Sequence, residues 1–149
     1  HGTPAGLSML MTAFRFPLRI YWEDTDARGT VYPSRMLHFF ERGRTEWLRA
    51  LGIEQQKLRE QTGGFFVVTH AAVDYVAPAR LDDQLWVTAR LQSAGRASIT
   101  IAQQALLQHT MSSDGQPQLL SEGTIRIGWV DAASMRPARI PASILEQLS

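Results

Sequence analysis

Hydrophobic and polar positions change period along the chain, and the changes mark its elements. Residues 14–22 (F-R-F-P-L-R-I-Y-W) are aromatic and β-branched, with Arg15 and Arg19 set between apolar neighbours, which predicts a strand. Pro17 predicts an edge position, because proline has no N–H to give to a ladder. From Ser34 to Leu51 the period becomes helical. Met36, Leu37, Phe39, Phe40, Gly43, Trp47, Leu48, Ala50 and Leu51 fall on one half of a wheel, with His38, Glu41, Arg42, Thr45, Glu46 and Arg49 opposite. So wide an apolar arc predicts a helix partly wrapped by a sheet. Arg44 falls inside that arc and needs a partner, either a nearby carboxylate or a carbonyl at a neighbouring turn. Gly52 closes the helix.

A short polar helix is predicted over residues 54–62, stopped by Gly63-Gly64. Four strand-like runs follow, at 65–76, 83–93, 96–109 and 117–131. Ser112-Ser113-Asp114-Gly115 is a hairpin signal between the last two. Residues 77–82 are too long for a tight hairpin between the first two. A terminal helix over 141–148 opens on Pro141. One strand, one long buried helix and four antiparallel strands make an α+β domain, a curved sheet around a central helix. The edges of such a sheet are often paired with a second subunit, so an oligomer is expected.

Composition narrows the function. At 149 residues the chain is one domain by default. The stretch 1–8, ahead of Met9 and Met11, is read as a non-native or disordered tail and 9–149 as the single domain. A net charge of +1 provides no basic field for nucleic acid. The absence of cysteine removes disulfides, thiolate metal sites and thiol nucleophiles, and fits a cytoplasmic protein. No apolar run approaches the ~18 residues of a membrane span, and no secretory signal is evident. Nucleophile-elbow, phosphate-loop and dinucleotide fingerprints are missing, and His1, His38, His70 and His109 lack metal-ligand spacing. No metal or cofactor is expected.

The chemistry concentrates at residues 23–32, E-D-T-D-A-R-G-T-V-Y. Glu23, Asp24 and Asp26 crowd three mutually repelling carboxylates ahead of a break at Gly29. In the plainest reading this is an acidic turn between strand and helix, with an Asp or Thr as cap. The pattern D-T-D-A-x-G-x-V-Y, with F-E-R-x-R-T-E-x-L after it, carries more. So do Asp74-Tyr75 with Ala77-Pro78-Ala79-Arg80-Leu81-Asp82-Asp83, then Val130-Asp131 and the segment Met135 to Pro141. Together they resemble the 4-hydroxybenzoyl-CoA thioesterase class of hotdog-fold enzymes. Within it, the likeness is to the acyl-CoA thioesterases associated with the bacterial Tol-Pal system, and it covers nearly all of residues 14–145.

The resemblance implies the hotdog fold, a five-stranded curved antiparallel sheet wrapped around a long central helix. It also implies homodimers, often paired into homotetramers, with the active site at the subunit seam and Asp26 as the catalytic carboxylate. The chain departs at Pro33, where relatives often carry His, and at Met36, where an aromatic is usual; both bear on acyl preference. A thioester carbon is already electrophilic, so Asp26 could attack it directly or activate water as a general base. Glu23 and Asp24 would raise its pKa, which the second route would use. Backbone N–H groups at Val31 and Tyr32, and from Gly64 through Val67 and Val68 of a partner, are the expected donors to the carbonyl oxygen. Arg96, Arg136 and Arg139 are candidates for the coenzyme A phosphates, though each alone reads more readily as solvated surface charge. Two rivals remain: a hydratase or dehydratase, which lacks a His near Asp26, and a non-catalytic acyl-CoA-binding or scaffold module.

Overall fold

The computed structural model describes residues 14–111 and 116–149. The tail at 1–8 and the turn at 112–115 therefore lie outside the described residues. Five strands, β1 (Phe14–Arg19), β2 (Gly64–Tyr75), β3 (Gln84–Ala94), β4 (Ser98–Met111) and β5 (Pro117–Asp131), form one antiparallel sheet. Their order is β1-β3-β4-β5-β2. Three helices accompany them: α1 (Arg35–Ala50), α2 (Gln55–Thr62) and α3 (Ala142–Leu148). With α1 packed on the inner face of the sheet, this is the hotdog arrangement.

Pro17 sits opposite Trp86 on β1, which pairs only with β3, so the proline occupies an edge as expected. The predicted strand at 14–22 ends early. Trp22–Asp24 instead turn as a short 3-10 helix, because the Asp24 carboxylate accepts the Tyr21 N–H and closes it. Trp22 is consequently exposed, while Trp47 and Trp129 are buried in the core.

Helix α1 buries Met36, Phe39, Phe40, Gly43, Arg44, Trp47 and Leu48, a narrower stripe than the apolar half-wheel. Leu37 and Ala50 fall outside it, since the sheet touches the helix along one line. Gly43 lies where that contact is tightest: a Cβ there would stand 2.6 Å from Val87 Cγ1. The hydrogen-bond partner of Arg44 is neither a carboxylate nor a backbone carbonyl of a turn, although the Glu41 carboxylate acts on it through its charge. Its Nη1 donates to Gln103 Oε1 on β4 at 3.0 Å, and burial pulls its pKa down. Gln103 Nε2 donates in turn to the carbonyls of Phe40 at 2.9 Å and Thr88 at 3.2 Å. One buried amide thus ties α1 to β3 and β4. No helix among the described residues is long and apolar enough to cross a membrane.

Candidate active site

The connection from β2 to β3 cannot be a hairpin, because β1, β4 and β5 lie between or beyond these strands. It runs past the acidic loop and pairs with it. Val31 N–H donates to the Ala79 carbonyl at 2.9 Å, Leu81 N–H donates to the Gly29 carbonyl at 2.9 Å, and Thr30 bridges Arg80. The two most distinctive sequence segments therefore brace one another. Gly29, at φ +78°, supplies the left-handed turn between them.

The three carboxylates do not act as a cluster. Glu23 faces solvent. Asp24 is buried and bound twice, by Arg35 Nε on Oδ1 at 2.8 Å and by Tyr21 N–H on Oδ2 at 2.8 Å. This pair anchors the loop to the first turn of α1. An Asp24→Ala protein, which strands the Arg35 guanidinium, should lose about 2 kcal/mol in denaturant unfolding.

Asp26 Oδ1 accepts the N–H groups of Arg28 at 2.9 Å and Thr30 at 3.1 Å, and the Arg28 guanidinium stands 3.6 Å from Oδ2. The Thr30 N–H, with Arg28 adding to it, holds the Asp26 carboxyl below its ordinary 3.8 against the opposing effect of burial. The upward shift expected from Glu23 and Asp24 does not occur: one carboxylate is turned to water and the other is engaged by Arg35. The turn-capping reading of this loop is thus correct for both aspartates. Capping uses Oδ1 of Asp26, Oδ2 lies 3.6 Å from the Arg28 guanidinium, and the residue lines a cavity.

That cavity, about 390 Å³, is mostly apolar. Of its lining residues Arg28, Tyr32, Tyr75 and Val76 are exposed and Asp26 is half-buried, whereas Val31, Met36, Ala79 and Ser121 are buried. Pro33 is part of the wall. The Val31 N–H is engaged by Ala79 and the Tyr32 N–H points to the Asp24 carbonyl at 3.3 Å. Both residues accordingly offer wall rather than free donors, and Pro33 has no N–H to offer.

The other sequence candidates lie elsewhere on the protomer. Gly64 packs under the Trp129 indole, where a Cβ would meet ring atoms at 2.5 Å, so contact with that ring requires glycine. Val67 and Val68 border a second cavity beside Arg44 and Leu48 of α1. Arg96, Arg136 and Arg139 are exposed and gather at one end of the sheet, where the Arg96 carbonyl accepts the Ile140 N–H at 2.8 Å. Gly64 pairs with Asp131 at that same end, whereas Tyr75 marks the end near Asp26. The two mark the ends of the 12-residue β2, a span of more than about 30 Å in extended chain. Sequence reasoning missed Arg35, Thr30 and Ser121. Thr30 belongs to the flagged loop motif and Arg35 lies three residues beyond its end, but Ser121 carries no local signal.

The thioesterase-like superfamily model matches residues 20–148 of this chain. The chain belongs to that superfamily. Its relatives include an acyl-CoA thioesterase, YbgC of Haemophilus influenzae, 42% identical over 136 residues, which span 91% of this chain and 94% of the relative. A probable thioesterase from Bartonella henselae, 30% identical, superposes with a TM-score of 0.75 over 87% of this chain and all of its own. A 4-hydroxybenzoyl-CoA thioesterase solved with 4-hydroxybenzoyl-CoA gives a TM-score of 0.81, covering 92% of this chain and 99% of that one. At 16% identity that last likeness concerns the fold. For a superfamily member, a carboxylate at the lip of an apolar cavity is a chemically sufficient start: an oxygen to attack or to activate water, and a dry wall for the acyl group.

Proposed function

We infer that this protein is an acyl-CoA thioesterase, hydrolysing an acyl-CoA to the free acid and coenzyme A. The observation that carries the reading is Asp26, kept ionised by its own turn and lining an apolar cavity. Kinship with an acyl-CoA thioesterase along nine tenths of the chain supports the substrate class. Held ionised by its turn, Asp26 can act by direct attack, in which a carboxylate oxygen bonds the acyl carbon, the C–S bond breaks, the thiolate leaves and water then opens the mixed anhydride. The alternative is a general base that activates the attacking water. Thiol-reactive dye release over short-chain, long-chain and aromatic acyl-CoAs tests this. Binding of acyl-CoA without release of CoA would favour the scaffold reading instead.

Asp26 works, in this reading, at a seam between two copies. β2 is an edge strand exposed from Thr69 to Ala72, with Val68, Tyr75 and Val76 presenting apolar surface beside it. Two such edges paired antiparallel about the middle of β2 would set Gly64 of one protomer against Tyr75 of the other, with Val67 and Val68 opposite Ala72 and Ala71. The arginines Arg96, Arg136 and Arg139 would then flank the partner's cavity, suited to the phosphates of coenzyme A. A homodimer, or a homotetramer built from it, working in the cytoplasm follows. Light scattering should give at least twice the 16.7 kDa chain mass, and a β2 proline at Ala71 should shift it to monomer and lower turnover together.

A further inference from the structure

Met135 holds a backbone conformation that methionine rarely takes. Its φ is +58°, and the other described residues at positive φ are Gly29, Gly52, Gly63 and Asp82, types that enter the left-handed region at little penalty. The turn after β5 imposes it. The Met135 N–H donates to the Asp131 carbonyl at 2.7 Å and the Ser134 N–H to Asp131 Oδ2 at 2.9 Å, while the Asp131 N–H donates to the Arg136 carbonyl at 2.9 Å. Glycine would close such a turn without strain. Methionine closes it at a cost, and its side chain adds little to the core, being 61% exposed. Backbone strain held by its surroundings in this way clusters at ligand sites.

The neighbours indicate which ligand. Arg96, Arg136 and Arg139 are exposed at the same end of the sheet, and their guanidiniums form no ion pair among the described residues. The Ala132 N–H donates to the Gly63 carbonyl at 2.8 Å, so the turn lies against the start of β2, the end that the seam would set beside the other copy's cavity. A polarisable thioether beside unpaired guanidiniums suits a ligand with a flat ring and several phosphates. We propose that Met135 is a platform for the adenine of coenzyme A, its thioether resting on the ring while the arginines take the phosphates. This rests on the thioesterase reading above. The turn sets the direction of the side chain before substrate arrives, so less freedom is lost on binding.

The test compares thioesters that differ only in their nucleotide end: butyryl- and benzoyl-CoA against butyryl- and benzoyl-pantetheine, on wild type, Met135→Gly and Met135→Leu. Wild-type kcat/KM should favour the CoA thioester, and Met135→Gly should cut that preference about fivefold, through KM. Met135→Leu should keep part of it. Thermal unfolding gives a second reading: Met135→Gly should melt at the same temperature or higher, since glycine takes the left-handed turn without strain. A lower melting temperature would mean that the side chain holds the turn together, and would overturn the assignment. So would a wild type without the preference, a preference unchanged in Met135→Gly, or a Met135→Gly protein smaller than wild type in light scattering, which would place the methionine in the seam. Each of these leaves the thioesterase reading intact. Titration with adenosine 3′,5′-bisphosphate separates the two readings where no thioester is cleaved. Binding by wild type that weakens in Met135→Gly would keep the nucleotide platform and remove the thioesterase, whereas no binding would remove both.

Discussion

Asp26→Asn is expected to slow CoA release by about 10²–10⁴-fold, the contribution of one positioned acid–base or nucleophilic group. Asparagine is the informative replacement because its Oδ1 can still accept the N–H groups of Arg28 and Thr30, so the turn that braces against residues 79–81 survives. Circular dichroism and acyl-CoA binding should match wild type while turnover falls. Asp26→Ala, which loses the turn contacts as well, should fall at least as far in activity and also unfold more readily. Wild-type rates in Asp26→Asn would remove this residue from the chemistry.

The acid dependence follows from the same contacts. The folded-state pKa of Asp26 is depressed below 3.8, so its carboxylate is the favoured form in the native protein. Its contribution to stability is present above the unfolded value and is lost as pH falls through the folded one. On the acid side, kcat/KM should accordingly stay flat down to about pH 5 as far as this group is concerned. A limb near pH 6 would point to a different titrating group, or to an Asp26 whose environment changes when substrate binds.

Gln103→Leu is the stability counterpart. It should cost about 3 kcal/mol in denaturant unfolding, because it leaves the buried Arg44 guanidinium without its acceptor and frees the Phe40 and Thr88 carbonyls together. Arg44→Met should cost less, since it removes the charge that needs a partner, and the double variant should recover part of the Gln103→Leu loss. Additive losses in the double variant would mean that the two side chains do not act as one unit.

Much of the framework was legible along the chain because it is local. The stripe Met36, Phe39, Phe40, Gly43, Trp47 and Leu48 recurs at helical spacing, and Pro17 reports an edge from its own chemistry. Trp22 and Leu37 misled for one reason: hydrophobicity says that a residue can be buried, and only the packing line of the sheet says whether it is. The fate of the three loop carboxylates was likewise out of reach. Charge crowding in sequence implied a raised pKa, but side-chain direction sent Asp24 to Arg35, Glu23 to solvent and Asp26 to the N–H groups of its own turn.

What the amino-acid order determined alone is the alternation of strand and helix, the acidic turn with its glycine, and the candidacy of Asp26, all of which depend on residues within a few positions of one another. The tertiary structure decided the contacts between distant segments. It set residues 79–81 against 29–31, gave Arg44 an amide rather than a carboxylate, and carried Gly64 and the three arginines to the end of β2 remote from Asp26. It also left the Ser121 hydroxyl buried without a hydrogen-bond partner. Whether a polar group is satisfied depends on what the folded chain brings within about 3 Å of it, and no window of sequence contains that distance.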